Sequence, residues 1–279
     1  MRNDASPVSL AFWRWALAWL LLFPFALPHV RREWRVIWRS RRILIILGLL
    51  GTGTYNALSY TGLQTTSVTN AVVLNSVVPI LIAAVSWAFL GEKLAFLQGA
   101  GIVISLAGVL CILTRADPAL LLGLQFNVGD LWVFASMVVW AFYTVALKWR
   151  PHNLHPLAFL AALATIGVAA MLPLYFLDVG GRSGIMLNQA SVLGLLYLGI
   201  FPALLAYIFW NRAVAEVGPT ISGLFMHLMP VFGTALAIVF LDETLHFYHF
   251  AALALILGGL YMTTHFGRGD MPTGVMADD

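Results

Sequence analysis

Charge is scarce in this sequence. Its 279 residues include 12 acidic and 15 basic side chains, so only 10% of the chain is charged. A soluble domain carries about 25%. Hydrophobic residues make up 61%, and their arrangement in long runs with short polar connectors implies that most of the chain never meets water. Cysteine is almost absent too. Cys111 stands alone, which excludes an intrachain disulfide and a CxxC metal site. The sequence has no GxSxG, HExxH, P-loop or paired acidic motif, which argues against an enzyme, including one that works inside a membrane. No cofactor and no metal site are expected. His152 with His155, and His246 with His249, have i,i+3 spacing but are read as interface residues rather than ligands. The polar–apolar alternation of a membrane barrel is missing as well.

What is present is a series of nine apolar runs, at roughly 8–28, 43–63, 68–90, 94–114, 128–148, 155–177, 191–212, 218–241 and 246–266. At ~1.5 Å per residue each can cross the ~30 Å hydrocarbon core as a helix. Only a helix satisfies its own backbone polar groups in lipid. The first run is too long for the core of a cleavable signal. Six arginines fall between residues 31 and 42. They read as a cytoplasmic loop and not as a nucleic-acid surface. With that loop inside, Lys93, Lys148, Arg150, Arg212 and Arg268 are inside as well, against Arg2, Arg115 and Arg182 outside. The tail 267–279 is polar and expected to be disordered.

The chain also repeats itself at an offset of 151 residues. Pro79 meets Pro230, Glu92 meets Glu243 and Gly108 meets Gly259, and ten of the thirty positions from 79 to 108 are identical. Two copies of one helical unit are the signature of a transporter fold. The copies divide the chain into 1–117, with four helices, and 118–266, with five. The offset places the counterpart of the run at 128 before Met1, so a first helix is expected upstream of this sequence. Five helices per copy would invert one copy relative to the other, with a substrate site where they meet near the midplane.

The stretches NAVVLNSVVPILIAAVSWAFLGEKLAFLQGAGIVISLAGV and ISGLFMHLMPVFGTALAIVFLDETLHFYHFAALALILGGL carry a mid-span proline, an acidic residue 13 positions later, a leucine two beyond it and a glycine-rich following run. In these marks the chain resembles the EamA unit of the drug/metabolite transporter superfamily over nearly its whole length. The resemblance implies an all-α membrane protein of ten helices in two inverted five-helix repeats, of which nine are visible here. It implies export of small metabolites, with amino acid exporters the nearest subgroup, some of which favour aromatic substrates. The implied location is a plasma membrane, such as a bacterial inner membrane, with the chain a monomer or weak dimer whose partners are lipid and a small-molecule substrate.

Polar and aromatic stripes inside the runs supply the candidate binding residues. Tyr55, Asn56 and Tyr60, then Trp140 and Tyr143, then Tyr207 and Asn211 fall at helical spacing and should face a protein interior. Asn56 meets Tyr207 and Tyr60 meets Asn211 at the 151 offset. Asn75, Met226 and His227 flank the two prolines, and methionine repacks easily around different ligands. Pro79 and Pro230 are read as mid-span kinks and hinges for alternating access. Trp132 and Tyr261 are expected at the membrane interface. Gly99, Gly101, Ser105, Gly108, Gly258 and Gly259 are expected to permit close helix packing. Carboxylates fall only at span ends, which favours a carrier running on its substrate gradient. Arg14, two turns into its run, is expected to snorkel outward; the resemblance, in which an arginine often stands near this point, implies a structural or substrate-carboxylate role as the alternative. An exporter of other small amphipathic compounds or drugs, a channel and an accessory membrane protein are the rival readings. A two-fold repeat does not by itself make the ring of like charges or carbonyls that a channel filter uses.

The orientation is open to direct measurement. In a Cys111→Ser background, a cysteine placed at Ser40 should resist an impermeant thiol reagent in intact cells, and one placed at Ala116 should react. The opposite labelling would reverse the topology.

Overall fold

A computed structural model describes residues 6–179, 189–241, 244 and 246–266. The tail from 267, and with it Arg2, Arg182, Asp242, Glu243 and Arg268, lie outside the described residues. Among those described, nine helical spans are long and apolar enough to cross a membrane. They are α1 (Pro7–Arg32), α2 (Arg41–Gly62), α3 (Val68–Leu90), α4 (Phe96–Leu113), α5 (Val128–Trp149), α6 (Pro156–Leu177), α7 (Ser191–Val217), α8 (Pro219–Phe240) and α9 (Phe247–Phe266). Each coincides with one of the nine apolar runs to within a few residues. No strand is found among the described residues.

Local chemistry sets several helix starts. Ser6 Oγ accepts from Ser9 N at 3.0 Å to cap α1, with Pro7 as the first helical residue. Pro at that position lacks only a donor the helix could not use. Ser67 Oγ likewise accepts from Asn70 N at the start of α3. At α5 the cap is reciprocal. Asn127 Oδ1 accepts from Asp130 N at 3.3 Å, and Asp130 Oδ2 accepts from Asn127 N at 2.6 Å. Asp130 also accepts from the Thr66 hydroxyl and from Asn70 Nδ2, so one buried carboxylate ties the start of α5 to the start of α3. The α1–α2 connection carries a short helix, Trp34–Arg39. Glu33 there accepts from His155 N at 2.7 Å, and the His29 and His155 rings stack at 3.7 Å.

Four spans depart from regular α geometry within their length, in matched pairs, and α5 ends in a 3-10 turn at Leu147–Trp149. α2 contains a π-helical stretch at Gly48–Thr54, and α7 contains one at Gly199–Leu205. Each residue of the first has its counterpart in the second at the 151 offset. α3 breaks into Val68–Asn75 and Val78–Leu90, and α8 passes through a 3-10 turn at Phe225–Leu228 before Met229–Leu241. Val78 and Met229 are again repeat partners. The structure therefore differs from a proline kink within a continuous helix. Each proline is the second residue of a helix that starts anew, where the absent N–H costs no hydrogen bond.

The chain forms two compact units. Unit 1 is Met1–Val78 with Gln125–Pro219, and unit 2 is Pro79–Leu124 with Thr220–Asp279. Each unit thus draws helices from both halves of the sequence. In unit 1, α6 backs α1 and α2: the Thr52 hydroxyl donates to Leu163 O at 2.9 Å, and Trp19 Nε1 donates to Thr165 Oγ1 at 2.8 Å. In unit 2, α4 and α9 pack backbone to backbone. A Cβ on Gly101 would lie 2.6 Å from Gly259 O, and one on Gly108 would lie 2.7 Å from Ala252 O. Gly99 and Gly258 have nothing within 4 Å, so only part of the glycine set serves close packing. Trp132 is 44% exposed and Tyr261 61%.

The same change at two nearby glycines should give opposite results. Gly101→Ala is expected to destabilise the protein by about 1–3 kcal/mol, because its neighbour is immovable backbone. Gly99→Ala should leave stability unchanged or raise it slightly, since alanine is the better helix former. Thermal unfolding in detergent would measure both.

Candidate functional site

Unit 1 gathers the polar stripes of α1, α2, α5 and α7 around one cation. Arg14 on α1 is 7% exposed. Its Nη1 donates to Asn56 Oδ1 at 2.9 Å and to the Tyr60 hydroxyl at 2.7 Å, and its Nη2 donates to the Pro202 carbonyl at 2.8 Å. Arg14 thus turns inward and does not snorkel outward. The reason is its place on the helix. Ala11, Trp15, Ala18 and Leu22 are buried at three- and four-residue spacing, and Arg14 lies on that same face. Outward extension would leave three oxygen acceptors in apolar surroundings without donors.

The acceptors are themselves held in place. Asn56 Nδ2 donates to Gly51 O at 3.2 Å and to Thr52 O at 3.3 Å, which points its Oδ1 at the guanidinium. Gly51 O also accepts from the Tyr207 hydroxyl at 2.5 Å. Gly51 and Pro202 lie within the two π-helical stretches and are repeat partners. A π turn takes carbonyls off the regular helix ladder and frees them for side chains. Pro202 O receives Arg14 from α1, and Gly51 O receives Tyr207 from α7 as well as Asn56 from its own helix.

Aromatic rings enclose this network. Trp140 lies 4.7 Å from Tyr55, 5.2 Å from Tyr143, 5.5 Å from Tyr207 and 5.3 Å from Trp210, centroid to centroid. Trp15 meets Tyr207 edge-on at 4.8 Å. Two of the polar tips find side-chain partners: the Tyr143 hydroxyl donates to Asn211 Oδ1 at 2.6 Å, and Trp210 Nε1 donates to Thr144 Oγ1 at 3.2 Å. Arg150 Nη1 closes the far end on Asn211 O at 2.9 Å. Tyr55, Tyr60 and Trp210 remain half-buried, whereas Asn56, Trp140, Tyr143, Tyr207 and Asn211 are buried.

The structure thus brings together Tyr55, Asn56, Tyr60, Trp140, Tyr143, Tyr207 and Asn211. Asn75, half-buried, ends the first half of α3 in unit 1. Met226 and His227 belong to unit 2, on the 3-10 turn of α8, as do Pro79 and Pro230. His227 is buried, with Nδ1 2.8 Å from Ser105 Oγ on α4. Arg14 and Trp15 join the cluster although the stripes of Tyr and Asn do not select them as site residues, and Trp210 joins it from the same stripe as Tyr207 and Asn211. The buried stripe of α1 was the available signal for the first two. No group of three or more metal-ligating side chains is found among the described residues.

Comparison with known proteins agrees with this architecture. The EamA-like transporter family matches residues 1–114 and 127–265. A Bacillus subtilis (strain 168) protein named uncharacterized transporter YyaM is 27% identical over 231 residues, 81% of this chain and 74% of that protein. An uncharacterized transporter of Archaeoglobus fulgidus is 26% identical over 269 residues, 94% of this chain and 89% of that one. A protein solved by crystallography superposes with a TM-score of 0.73 at 22% identity, covering 96% of this chain and 90% of its own, a likeness of fold. With nine helices among the described residues long and apolar enough to cross a membrane, and both segments of the family in place, the chain belongs to the EamA-like transporter family and is a multi-pass membrane transporter.

Proposed function

We propose that this transporter is a carrier that exports amino acids, aromatic and other neutral ones among them, across a plasma membrane by alternating access. The observation that supports this most is the aromatic cluster of unit 1, where half-buried Tyr55, Tyr60 and Trp210 stand beside buried Trp140 and Tyr207. Small-ligand sites combine apolar and aromatic walls with a few fixed polar groups. Here rings can pack on an apolar side chain, and the Asn56 and Asn211 amides with the Tyr60 and Tyr143 hydroxyls supply polarity. Asn75, Met226 and His227 belong to the same proposal as contact residues at the two interrupted spans.

The two interruptions supply the motion. The chain passes from unit 1 to unit 2 between Val78 and Pro79, immediately after the non-helical residues that divide α3. Hinges are short stretches at element ends that absorb changes in φ and ψ. Broken helices are common in secondary carriers. Pro79 and Pro230 keep each second segment from merging into a continuous helix. On this reading the sequence halves 1–117 and 118–266 are two copies of one module.

Purified protein in liposomes should exchange labelled phenylalanine and other neutral amino acids, with saturation. No movement of any of them would refute the amino acid reading. Tyr55→Ala or Trp140→Ala is expected to lower transport at least about tenfold, since each removes a wall of the site. Phe209→Ala, 65% exposed on α7, should leave it near wild type. Pro79→Ala should slow flux while leaving substrate binding unchanged; unaltered flux would remove the hinge.

A further inference from the structure

The Arg14 cluster contains more hydrogen-bond donors than it uses. A guanidinium has five N–H donors. The three bonds from Nη1 and Nη2 leave Nε with no acceptor, and Nε is buried. Trp15 Nε1 and Trp140 Nε1 are likewise buried without an acceptor. Both indoles pack against Tyr207, and Arg14 lies 5.9 Å from the Trp15 ring centroid. Among the described residues no carboxylate pairs with Arg14. Among its described residues, unit 1 therefore holds a buried cation without a carboxylate partner at Arg14 and three unsatisfied buried groups, all of them N–H donors. A guanidinium serving only as a strut between α1, α2 and α7 would not require this excess. Buried polar groups without partners are rare in proteins, and each one calls for an explanation.

A ligand that complements this set must be an acceptor and must be negative. A carboxylate meets both conditions: it has two oxygens with lone pairs to spare, and it pairs with guanidinium along an N–H edge. The same rings that flank the donors would take an apolar substituent. We propose that Arg14, with the indole N–H groups of Trp15 and Trp140, binds the carboxylate of the transported amino acid. This inference rests on the amino acid carrier reading. The Asn56, Tyr60 and Pro202 acceptors keep the guanidinium oriented while its Nε edge receives the substrate. Neutralisation of the buried charge then accompanies loading of the carrier.

The test compares ligands on the unaltered protein first. In liposomes loaded with unlabelled phenylalanine, entry of labelled phenylalanine is challenged with 3-phenylpropionate, which keeps the carboxylate, and with phenylalaninamide, which lacks it. The inference expects 3-phenylpropionate to compete at least about tenfold better, since a site built for a polar partner strongly rejects the analogue without it. Equal competition overturns the carboxylate assignment and leaves the carrier reading standing. Absence of exchange for phenylalanine and every other neutral amino acid overturns the carrier reading, and this inference with it. Excess chloride that blocks exchange as well as 3-phenylpropionate does would also overturn it, as the site would then serve inorganic anions. Trp140→Phe and Trp15→Phe keep a ring and remove one N–H each. They should weaken 3-phenylpropionate severalfold and leave phenylalaninamide unchanged. A parallel loss for both ligands would mark the indoles as packing alone. Arg14→Gln should abolish the preference for the carboxylate; if that variant does not fold, the two indole variants carry the decision.

Discussion

Hydrocarbon offers no hydrogen bonds, and that constraint organises the whole molecule. A backbone in lipid must bond to itself, so the chain forms helices. Wherever a helix departs from the regular ladder, the displaced polar groups need partners from the protein. Polar side chains collect at those places. The π-helical stretches of α2 and α7 present Gly51 O and Pro202 O to Tyr207 and Arg14. The site lies at these irregularities, where Pro202 O reaches Arg14 and Gly51 O holds both Asn56 and Tyr207.

The same constraint explains why a cation can reside inside α1. An isolated buried charge is expensive, and pairing with hydrogen-bonded acceptors lowers that cost. Arg14 has three oxygen acceptors from two other helices. None of them is an acid, so the site is stabilised by dipoles and its formal charge is not cancelled. A buried carboxylate beside Arg14 would have made a more neutral core and a poorer receptor for an anion. Asp130 shows the contrasting solution: a buried carboxylate that meets Thr66, Asn70 and the Asn127 N–H at a helix start and serves the architecture.

Much of this was legible in the sequence. Span positions follow from apolar runs, because length and hydropathy are all a lipid-crossing helix needs. Tyr55, Asn56, Tyr60, Trp140, Tyr143, Tyr207 and Asn211 were recognisable because a polar stripe on an apolar helix has one sensible place to go. Arg14 turns inward although its distance from the helix end suggests snorkelling, because it occupies the buried face of α1. The π turns left little trace. GLLGTGT and GIFPALL share only their leading glycine, and no propensity scale separates a π turn from an α turn. The restart of each helix at Val78 and Met229 was hidden for a related reason. A proline announces that something changes, but whether the helix bends or stops depends on the packing of the residues before it.

The glycine seam of unit 2 has a mechanical consequence. Where Gly101 and Gly259 let two main chains touch, and Thr263 Oγ1 bonds to Gln98 O across the same contact at 3.2 Å, α4 and α9 are meshed like teeth of a zip. Sliding either helix lengthwise by a single residue would drive a side chain into peptide. The pair can tilt only as one splint, and whatever bending a working cycle demands must fall on segments without such a seam.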